Sequence, residues 1–400
     1  MEFLDIDITL TDEDRAARDT CHKFALEVMR PAGKLLDRLP DPADVIAPNS
    51  VLWDVVRKYH ELGLGHLTAD ATMDPVAKAR MTSVIIEELC WGDVGLAITT
   101  GISMMHYPWI EMLGNQELRE RFCSPDRPSL SCWALTEPDH GSDTVAFTES
   151  CFRDARVRPN CTARKDGDYY IINGQKAAWV SGANIADIMI LFCTLDPSQG
   201  FSGGAGFLVP LDLPGIERPK PLDKIGQRSL NQGEIYFSDV RVPAAYMMFG
   251  PEMYAMTLEH TLAHANAAMG VQFVGLARAG YELALEYAKQ RVQGGVPIFE
   301  HQNVKARLFK MFMKVEAARA LSRRVWLYTA ANPPLIQYSV ASKVFCTNTA
   351  FEVASEAVQI FGGNGLSREY PIEKIFRDAR ASMIEDGCNE VLGLMAASRL

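Results

Sequence analysis

The sequence lacks the features of several classes of protein. No apolar run in its 400 residues approaches the roughly eighteen that a membrane span requires, so no span is predicted. Lysine and arginine number 40 against 50 aspartates and glutamates, and no long basic run occurs, which argues against a nucleic-acid partner. The acidic N-terminal segment has the character of neither a secretion signal nor a transit peptide. Internal repeats and low-complexity tracts are also absent.

The cysteine pattern excludes another group of proteins. Nine cysteines are present, but they form no CxxC pair and follow no regular spacing. A disulfide framework or a zinc site would require such spacing. The sequence therefore predicts reduced thiols, no metal site and a cytoplasmic location.

The residues that are present predict an α+β multidomain protein. Hydrophobic residues make up 48% of the chain and charged residues 22%, which suits two or three globular domains. Helical periodicity begins at Thr11 and covers about 52–62, 77–89 and 116–122. Short β-branched runs separated by Gly, Pro and Asp follow, and long helical stretches return after Met253. We expect an N-terminal α-helical domain (1–127), a middle β-barrel or sandwich domain (128–248) and a C-terminal four-helix bundle (249–400).

Two motifs carry most of the functional information. Cys132–Asp143 reads CWALTEPDHGSD, and Gln359–Asp378 reads QIFGGNGLSREYPIEKIFRD. The first motif alone would be a pair of turns. Together, in this order and domain context, they resemble the acyl-CoA dehydrogenase family over essentially the whole chain. The resemblance implies a non-covalently bound FAD, an acyl-CoA substrate, an electron-transferring flavoprotein as oxidant, and a homo-oligomer.

The resemblance also implies which residues surround the flavin. Leu135 and Thr136 would bond the pyrimidine side of its ring, where negative charge develops on reduction. Gly141 belongs to the same turn, and Ser142 would contact the FAD pyrophosphate or the thioester end of the substrate. Trp179 and Ser181 match a flavin wall, with one residue more after Lys176 than the family pattern has. The alternative for Trp179 is a core tryptophan on a strand.

A further set of residues is expected to act across a subunit interface. Arg291 matches a family arginine that reaches a neighbour's FAD pyrophosphate, and Gln302 is its downstream partner. Gly294 stands where the family normally has an aromatic residue. Backbone at Gln359, Gly362 and Gly363 would close the site from the adjacent protomer. These residues predict a homodimer or a dimer of dimers. Two further cofactor contacts are expected: Cys388, which stands in place of a threonine, and Glu390.

Asp386 is the expected catalytic base. The commonest family base is a glutamate followed by glycine and threonine, whereas this chain has Asp386, Gly387 and Cys388. Aspartate is shorter by one C–C bond of about 1.5 Å, so either the backbone or the substrate must adjust. The alternative base position aligns with Ala265. Its neighbouring arginine position aligns with Asn266, which is expected, with Ser142 and Gly387, at the substrate.

Glu385 replaces a common aromatic residue beside the expected base. Turned inward, its charge would raise the pKa of one carboxyl of the pair. Turned outward, it would be a solvated side chain, which is the commoner arrangement.

The leading hypothesis is FAD-dependent α,β-dehydrogenation of an acyl-CoA thioester, with branched and cyclic acyl groups among the candidates. One alternative is a flavin oxidase or monooxygenase on the same fold. Another is a non-catalytic partner subunit of a mixed oligomer, which the changes at Asp386 and Asn266 favour and the intact motifs disfavour.

Overall fold

A computed structural model describes residues 4–69, 72–102, 104–124, 129–157 and 159–400. A helical N-terminal region is followed by a β-sheet region and a helical C-terminal region. This order confirms the predicted fold class. The predicted boundary between residues 127 and 128 lies outside the described residues.

The N-terminal region begins where the sequence predicts. The Thr11 hydroxyl accepts the N–H of Asp14 at 3.2 Å, and the Asp14 carboxylate accepts the N–H of Thr11 at 2.8 Å. This reciprocal capping satisfies donors that a helix start would otherwise leave unpaired. A single π-turn (Ala25–Met29) follows the first helix. The helices are α1 (Asp12–Phe24), α2 (Arg30–Asp37), α3 (Pro42–Val45), α4 (Val51–Glu61), α5 (Leu64–Ala69), α6 (Pro75–Gly92), α7 (Val94–Ile102), α8 (His106–Leu113) and α9 (Gln116–Phe122).

The middle region forms one eight-stranded sheet. Its strands are β1 (Ser131–Ala134), β2 (Thr162–Asp166), β3 (Tyr169–Ser181), β4 (Ile188–Thr194), β5 (Gly204–Pro210), β6 (Ile216–Glu217), β7 (Gln232–Pro243) and β8 (Met247–Phe249). Their order is β6-β7-β3-β2-β4-β5-β8, and β1 pairs with β4. Strand β4 is buried along its whole length, pairs in parallel with β1 and β2, and pairs antiparallel with β5. The first motif therefore leaves the sheet beside its central strand.

The C-terminal region is built on the long helices α10 (Pro251–Gln290), α11 (Gln302–Ala331) and α12 (Ile336–Phe361). A short hairpin of β9 (Val292–Gln293) and β10 (Val296–Pro297) joins α10 to α11. Its turn residues Gly294 and Gly295 have φ angles of 62° and 85°, which glycine adopts without strain. The chain ends with α13 (Ile372–Ser382) and α14 (Asn389–Ala397).

Helix α6 packs into this bundle through buried charges. Glu87 accepts from Arg278 and Arg319, at 2.7 Å each, and lies 3.1 Å from Arg323. All four side chains are at most 7% exposed. Burial is tolerated because the charges are paired and hydrogen-bonded. The N-terminal region and the bundle thus share one packed interior. No helix among the described residues has the length and apolarity needed to cross a lipid bilayer.

Candidate active site

A buried ion pair holds the loop that follows β1 against strand β3. Lys176 donates to the Glu137 carboxylate at 2.7 Å and to the carbonyl of Leu135 at 2.8 Å. The backbone of Thr136 is fixed as well, since its carbonyl accepts from Ala177 at 2.9 Å. These contacts hold Leu135 and Thr136 against β3. Glu137, within the first motif, and Lys176, shortly before Trp179, have no role among the residues expected from the sequence.

Ser142 joins the first motif to the expected base. Its hydroxyl accepts the backbone N–H of Cys388 at 3.0 Å, across 246 residues of sequence. Gly141 directly precedes Ser142 in the same turn. The structure therefore brings Gly141 and Ser142 next to the turn that contains Asp386 and Cys388.

Asp386 lies in an unusual backbone turn that Lys343 holds in place. Asp386 and Gly387 have φ angles of 49° and 95°, and aspartate is one of the few side chains that tolerate the left-handed region. Lys343 is completely buried and donates to the Gly387 carbonyl and to Oδ1 of Asn389, at 2.8 Å each. A lysine from α12 thus fixes the turn that carries the expected base.

Two carboxyls and two ammonium groups share this site. The Asp386 side chain is accessible to solvent, yet protein atoms crowd it enough that burial raises its pKa, against the opposing charge of Lys343. Burial also raises the pKa of Glu385 to about 7; Gln227, Lys224 and Lys343 oppose the rise, and the Asp386 charge adds to it. Glu385 is half-buried. It therefore behaves as the inward-turned alternative rather than as a freely solvated side chain.

Burial shifts the pKa values of the two lysines, Lys343 and Lys224, downward rather than upward. Burial lowers the pKa of Lys343 to about 8, and the carboxylates of Asp386 and Glu385 limit the fall. Burial likewise lowers the pKa of Lys224 to about 8, against the charges of Glu385 and Asp378. The site can accept or release protons near neutral pH. The sequence analysis did not identify either lysine.

Strand β3 has a bulge in the segment where the sequence has an extra residue before Trp179. Lys176 pairs with Ile235 but Val180 pairs with Gly233, so β3 contains two more residues than β7 over this interval. Trp179 is 59% exposed, which is inconsistent with the alternative of a core tryptophan. The hydroxyl of Ser181 accepts from the side-chain amide of Gln232 at 3.0 Å.

The residues expected to act across a subunit interface lie at the other end of the bundle. Lys343 and Gln359 are sixteen residues apart on α12, which corresponds to about 24 Å along the helix axis. The Gln359 end of α12 lies next to the end of α10, because Tyr287 stacks on Phe361 with ring centroids 4.0 Å apart. Five expected contacts are exposed in this region: Arg291, Gln302, Gln359, Gly362 and Gly363. Within one chain the structure does not bring them to Asp386.

Asn266 has a different environment from the one expected of a substrate contact. It is completely buried, and its amide donates to the Leu262 carbonyl at 2.9 Å within α10. Its Oδ1 atom has no partner among the described residues. The structure thus gives Asn266 no free surface. Glu390 is exposed in the first turn of α14, and Cys388 is half-buried before it.

The Arg-Asp pair of the second motif is part of the scaffold. Arg377 binds both carboxylate oxygens of Asp37, at 2.9 and 2.8 Å. Asp378 accepts from Lys374 at 2.6 Å and from the backbone of Gln227. These bonds fasten α13 to α2 and to the loop before β7. The pair therefore holds together the elements that surround the site.

Comparison with known proteins matches every region of the chain. Residues 11–125, 132–240 and 255–400 match the family models for the N-terminal, middle and C-terminal domains of acyl-CoA dehydrogenase. A short-chain specific acyl-CoA dehydrogenase of Megasphaera elsdenii is 33% identical over 311 residues, covering 76% of this chain and 78% of that protein.

Solved structures agree with the sequence matches. Butyryl-CoA dehydrogenase from Megasphaera elsdenii superimposes with a TM-score of 0.85 at 28% identity, covering 98% of this chain and 99% of that one. A chain from a structure described as the electron transferring flavoprotein of Acidaminococcus fermentans also gives a TM-score of 0.85, at 26% identity, covering 98% and 99%.

Proposed function

Because the chain belongs to the acyl-CoA dehydrogenase family, we propose that it oxidises an acyl-CoA thioester to its α,β-enoyl form with Asp386 as the base. The observation that carries the proposal is the hydrogen bond from Cys388 to Ser142, at 3.0 Å. It places the turn with the expected base beside the loop expected to hold the flavin. The butyryl-CoA and short-chain relatives support a short acyl group, with branched and cyclic groups still among the candidates.

The family is FAD-dependent, and the groups around Trp179 fit a flavin. An exposed tryptophan offers an aromatic face for a planar ring. The side-chain hydroxyl and backbone N–H of Thr136 have no partner in the part of the chain that the structure describes, so both are free to bond polar ring atoms. We propose that Leu135, Thr136, Trp179 and Ser181 hold the isoalloxazine. The flavin would supply the hydride acceptor.

The chain itself would supply the proton acceptor. A carboxylate that removes the α proton of a thioester works best with a pKa closer to neutrality than an ordinary aspartate has. Burial raises the pKa of Asp386 in that direction, while Lys343 keeps the ionised form accessible. Lys343 also fixes the Gly387 carbonyl and thereby limits movement of the base. Asp386 and Gly387 both have left-handed φ angles, of 49° and 95°, and this turn would have to compensate for the shorter reach of aspartate.

The distant set of exposed residues supports an oligomer. We propose that Arg291, Gln302 and the backbone from Gln359 to Gly363 complete the FAD site of a second copy. The support is their exposure at the far end of α12, about 24 Å from Lys343. An electron-transferring flavoprotein as oxidant, a dimer-of-dimers assembly and a cytoplasmic location stay proposals.

The test uses anaerobic bleaching of bound FAD by a panel of acyl-CoA thioesters. The wild-type chain should purify yellow and be bleached by at least one member of the panel. Asp386→Asn should retain FAD and lose bleaching by at least a hundredfold, the order of magnitude for a lost or misplaced catalytic group. Asp239→Asn is the matched control, since Asp239 also has a positive φ, of 49°, but lies on β7. Bleaching that survives in Asp386→Asn would exclude Asp386 as the base, and fast reoxidation by oxygen would favour an oxidase.

A further inference from the structure

The side-chain amide of Gln232 lies between a lysine and a serine. Lys224 donates to Oε1 of Gln232 and to the carbonyl of Leu230, at 2.8 Å each. On its other side, Nε2 of Gln232 donates to the Ser181 hydroxyl oxygen at 3.0 Å and approaches the Trp179 carbonyl at 3.4 Å. Gln232 is 7% exposed, so its amide has little water to bond instead.

The chemistry of these groups fixes the direction of each hydrogen bond. An ammonium group only donates, so the amide atom that faces Lys224 must be the oxygen. The NH₂ group of Gln232 then faces Ser181, whose oxygen accepts. The hydroxyl hydrogen of Ser181 is left without a partner among the described residues.

Without Lys224, this direction would be held only by the long contact of 3.4 Å to the Trp179 carbonyl. The amide could turn by half a rotation, and its oxygen could then accept the Ser181 hydroxyl hydrogen. The two amide orientations differ little in shape. The Trp179 carbonyl favours the native orientation at 3.4 Å, but the charged donor of Lys224 at 2.8 Å is the stronger constraint. The carboxylates of Glu385 and Asp378 favour the charged form of Lys224.

We infer that Lys224 and Gln232 are positioning residues that keep the Ser181 hydroxyl hydrogen free to donate to a bound flavin. This inference rests on the proposed function, and it adds the device that orients one contact to the cofactor. Ser181 is partly exposed on the strand that carries Trp179, so its hydrogen can reach a molecule in the site. Lys224 and Gln232 need not touch the flavin.

A double-mutant cycle between Lys224 and Ser181 tests the inference. The variants are Lys224→Met, Ser181→Ala and the double variant, with Lys224→Arg as the conservative change and exposed Lys220→Met as the matched control. For each variant, the flavin midpoint potential, visible spectrum, FAD content per protomer and melting temperature are measured. Losing a donor to the flavin lowers its potential, because electron density on the ring is then less stabilised.

We expect Lys224→Met to lower the potential and shift the spectrum, and most of this effect to vanish in the Ser181→Ala background. Lys224→Arg and Lys220→Met should resemble wild type. An equal shift in both backgrounds would show that only the charge of Lys224 matters, and would overturn the inference. If Lys224→Met does not fold, Gln232→Glu takes its place in the cycle, because a carboxylate must accept the Ser181 hydrogen.

The outcomes also separate this inference from the proposed function. A wild-type chain that binds no FAD overturns both. A yellow, substrate-bleached chain in which Lys224 and Ser181 act independently overturns the inference alone.

Discussion

The ammonium group of Lys343 lies 2.8 Å from the carbonyl oxygen of Gly387, the residue after the expected base. A second contact of 2.8 Å, to Asn389, holds the far side of the same turn. The lysine therefore fixes the position of Asp386 and also supplies the positive charge that limits its pKa.

Replacing Lys343 should alter the pH dependence of the reaction. Because the Lys343 charge lowers the pKa of Asp386, Lys343→Met should raise this pKa further, and the ionised base should form only at higher pH. The pH profile of anaerobic flavin bleaching should shift upward, with a loss of about 1–3 kcal/mol in the free energy of unfolding from two unpaired acceptors. Lys314→Met, on the exposed face of α11, is the control. A folded variant with an unmoved pH profile would contradict this assignment.

Glu385 should make the folded state less stable as the pH rises. Its pKa is about 7 in the folded chain and near the ordinary 4.5 when unfolded, so the folded state binds more protons between these values. The stability that protonated Glu385 contributes to the folded state is fully present below pH 4.5 and is lost as the pH rises through 7. Above pH 7, the free energy of unfolding of Glu385→Gln should therefore exceed that of wild type by on the order of 1–3 kcal/mol. Chemical denaturation at several pH values measures the difference.

The control for this measurement is Glu352→Gln, at an exposed ion pair on α12. It should change the free energy of unfolding by less than about 1 kcal/mol at every pH. Lys343 and Lys224 titrate in a separate window, because their pKa values lie between about 8 in the folded chain and the ordinary 10.5. A Glu385→Gln variant that tracks wild type from acid to neutral pH would show that Glu385 is solvated.

Glu87 should be essential for stability. Burial alone would raise its pKa, but Arg319, Arg278 and Arg323 hold it well below the usual range. Glu87→Gln keeps the shape and leaves buried arginine charge uncompensated, at a cost of about 3–5 kcal/mol in the free energy of unfolding. The difference between the two free energies of unfolding should shrink as the pH falls below 4.5, the ordinary pKa of glutamate, because the stabilisation by ionised Glu87 is then progressively lost.

Glu316→Gln provides the matched comparison for Glu87. Glu316 binds the same Arg319, but its side chain is 26% exposed. Its replacement should cost less than about 1 kcal/mol. Equal losses for the two variants would mean that the buried network adds nothing beyond ordinary surface ion pairs.

Local patterns predicted the fold well because helix caps and periodicity depend on near neighbours. The start of α1 at Thr11 and Asp12 and the limits of α9 at Gln116 and Phe122 follow the sequence prediction. The role of Lys343 in holding the Asp386 turn could not be predicted from local patterns. Lysine in a helical run is normally solvated, and the partner Gly387 is 44 residues away. The sequence showed an extra residue before Trp179, but a bulge is defined only against its partner strand.

The role that we infer for Gln232 also depends on contacts that the sequence does not show. Its contacts with Lys224 and Ser181 span 8 and 51 residues, and neither spacing belongs to a local motif. The family motifs drew attention to Asp386 and Ser142 but could not show that a hydrogen bond joins their turns. Residues expected to contact the flavin were thus easier to find than the residues proposed to orient them.

Mixing two inactive variants should restore activity if the FAD site is shared between protomers. Arg291→Ala should weaken FAD binding in the neighbouring protomer, while Asp386→Asn removes the base from its own protomer. In a mixed dimer, the site with an intact Asp386 receives Arg291 from the Asp386→Asn chain, so one site is complete. Random reassociation of equal amounts should recover about a quarter of wild-type sites, measured by anaerobic bleaching.

The complementation has a control in which neither chain carries an intact base. A mixture of Asp386→Asn with the Asp386→Asn, Arg291→Ala double variant contains no intact base and should stay inactive after the same reassociation. Recovery should rise with time of exchange between protomers and should be absent when the two variants are only mixed at the moment of assay. If Arg291 instead served the site of its own chain, neither kind of mixture would recover any bleaching, because the chain with an intact Asp386 would still lack its arginine.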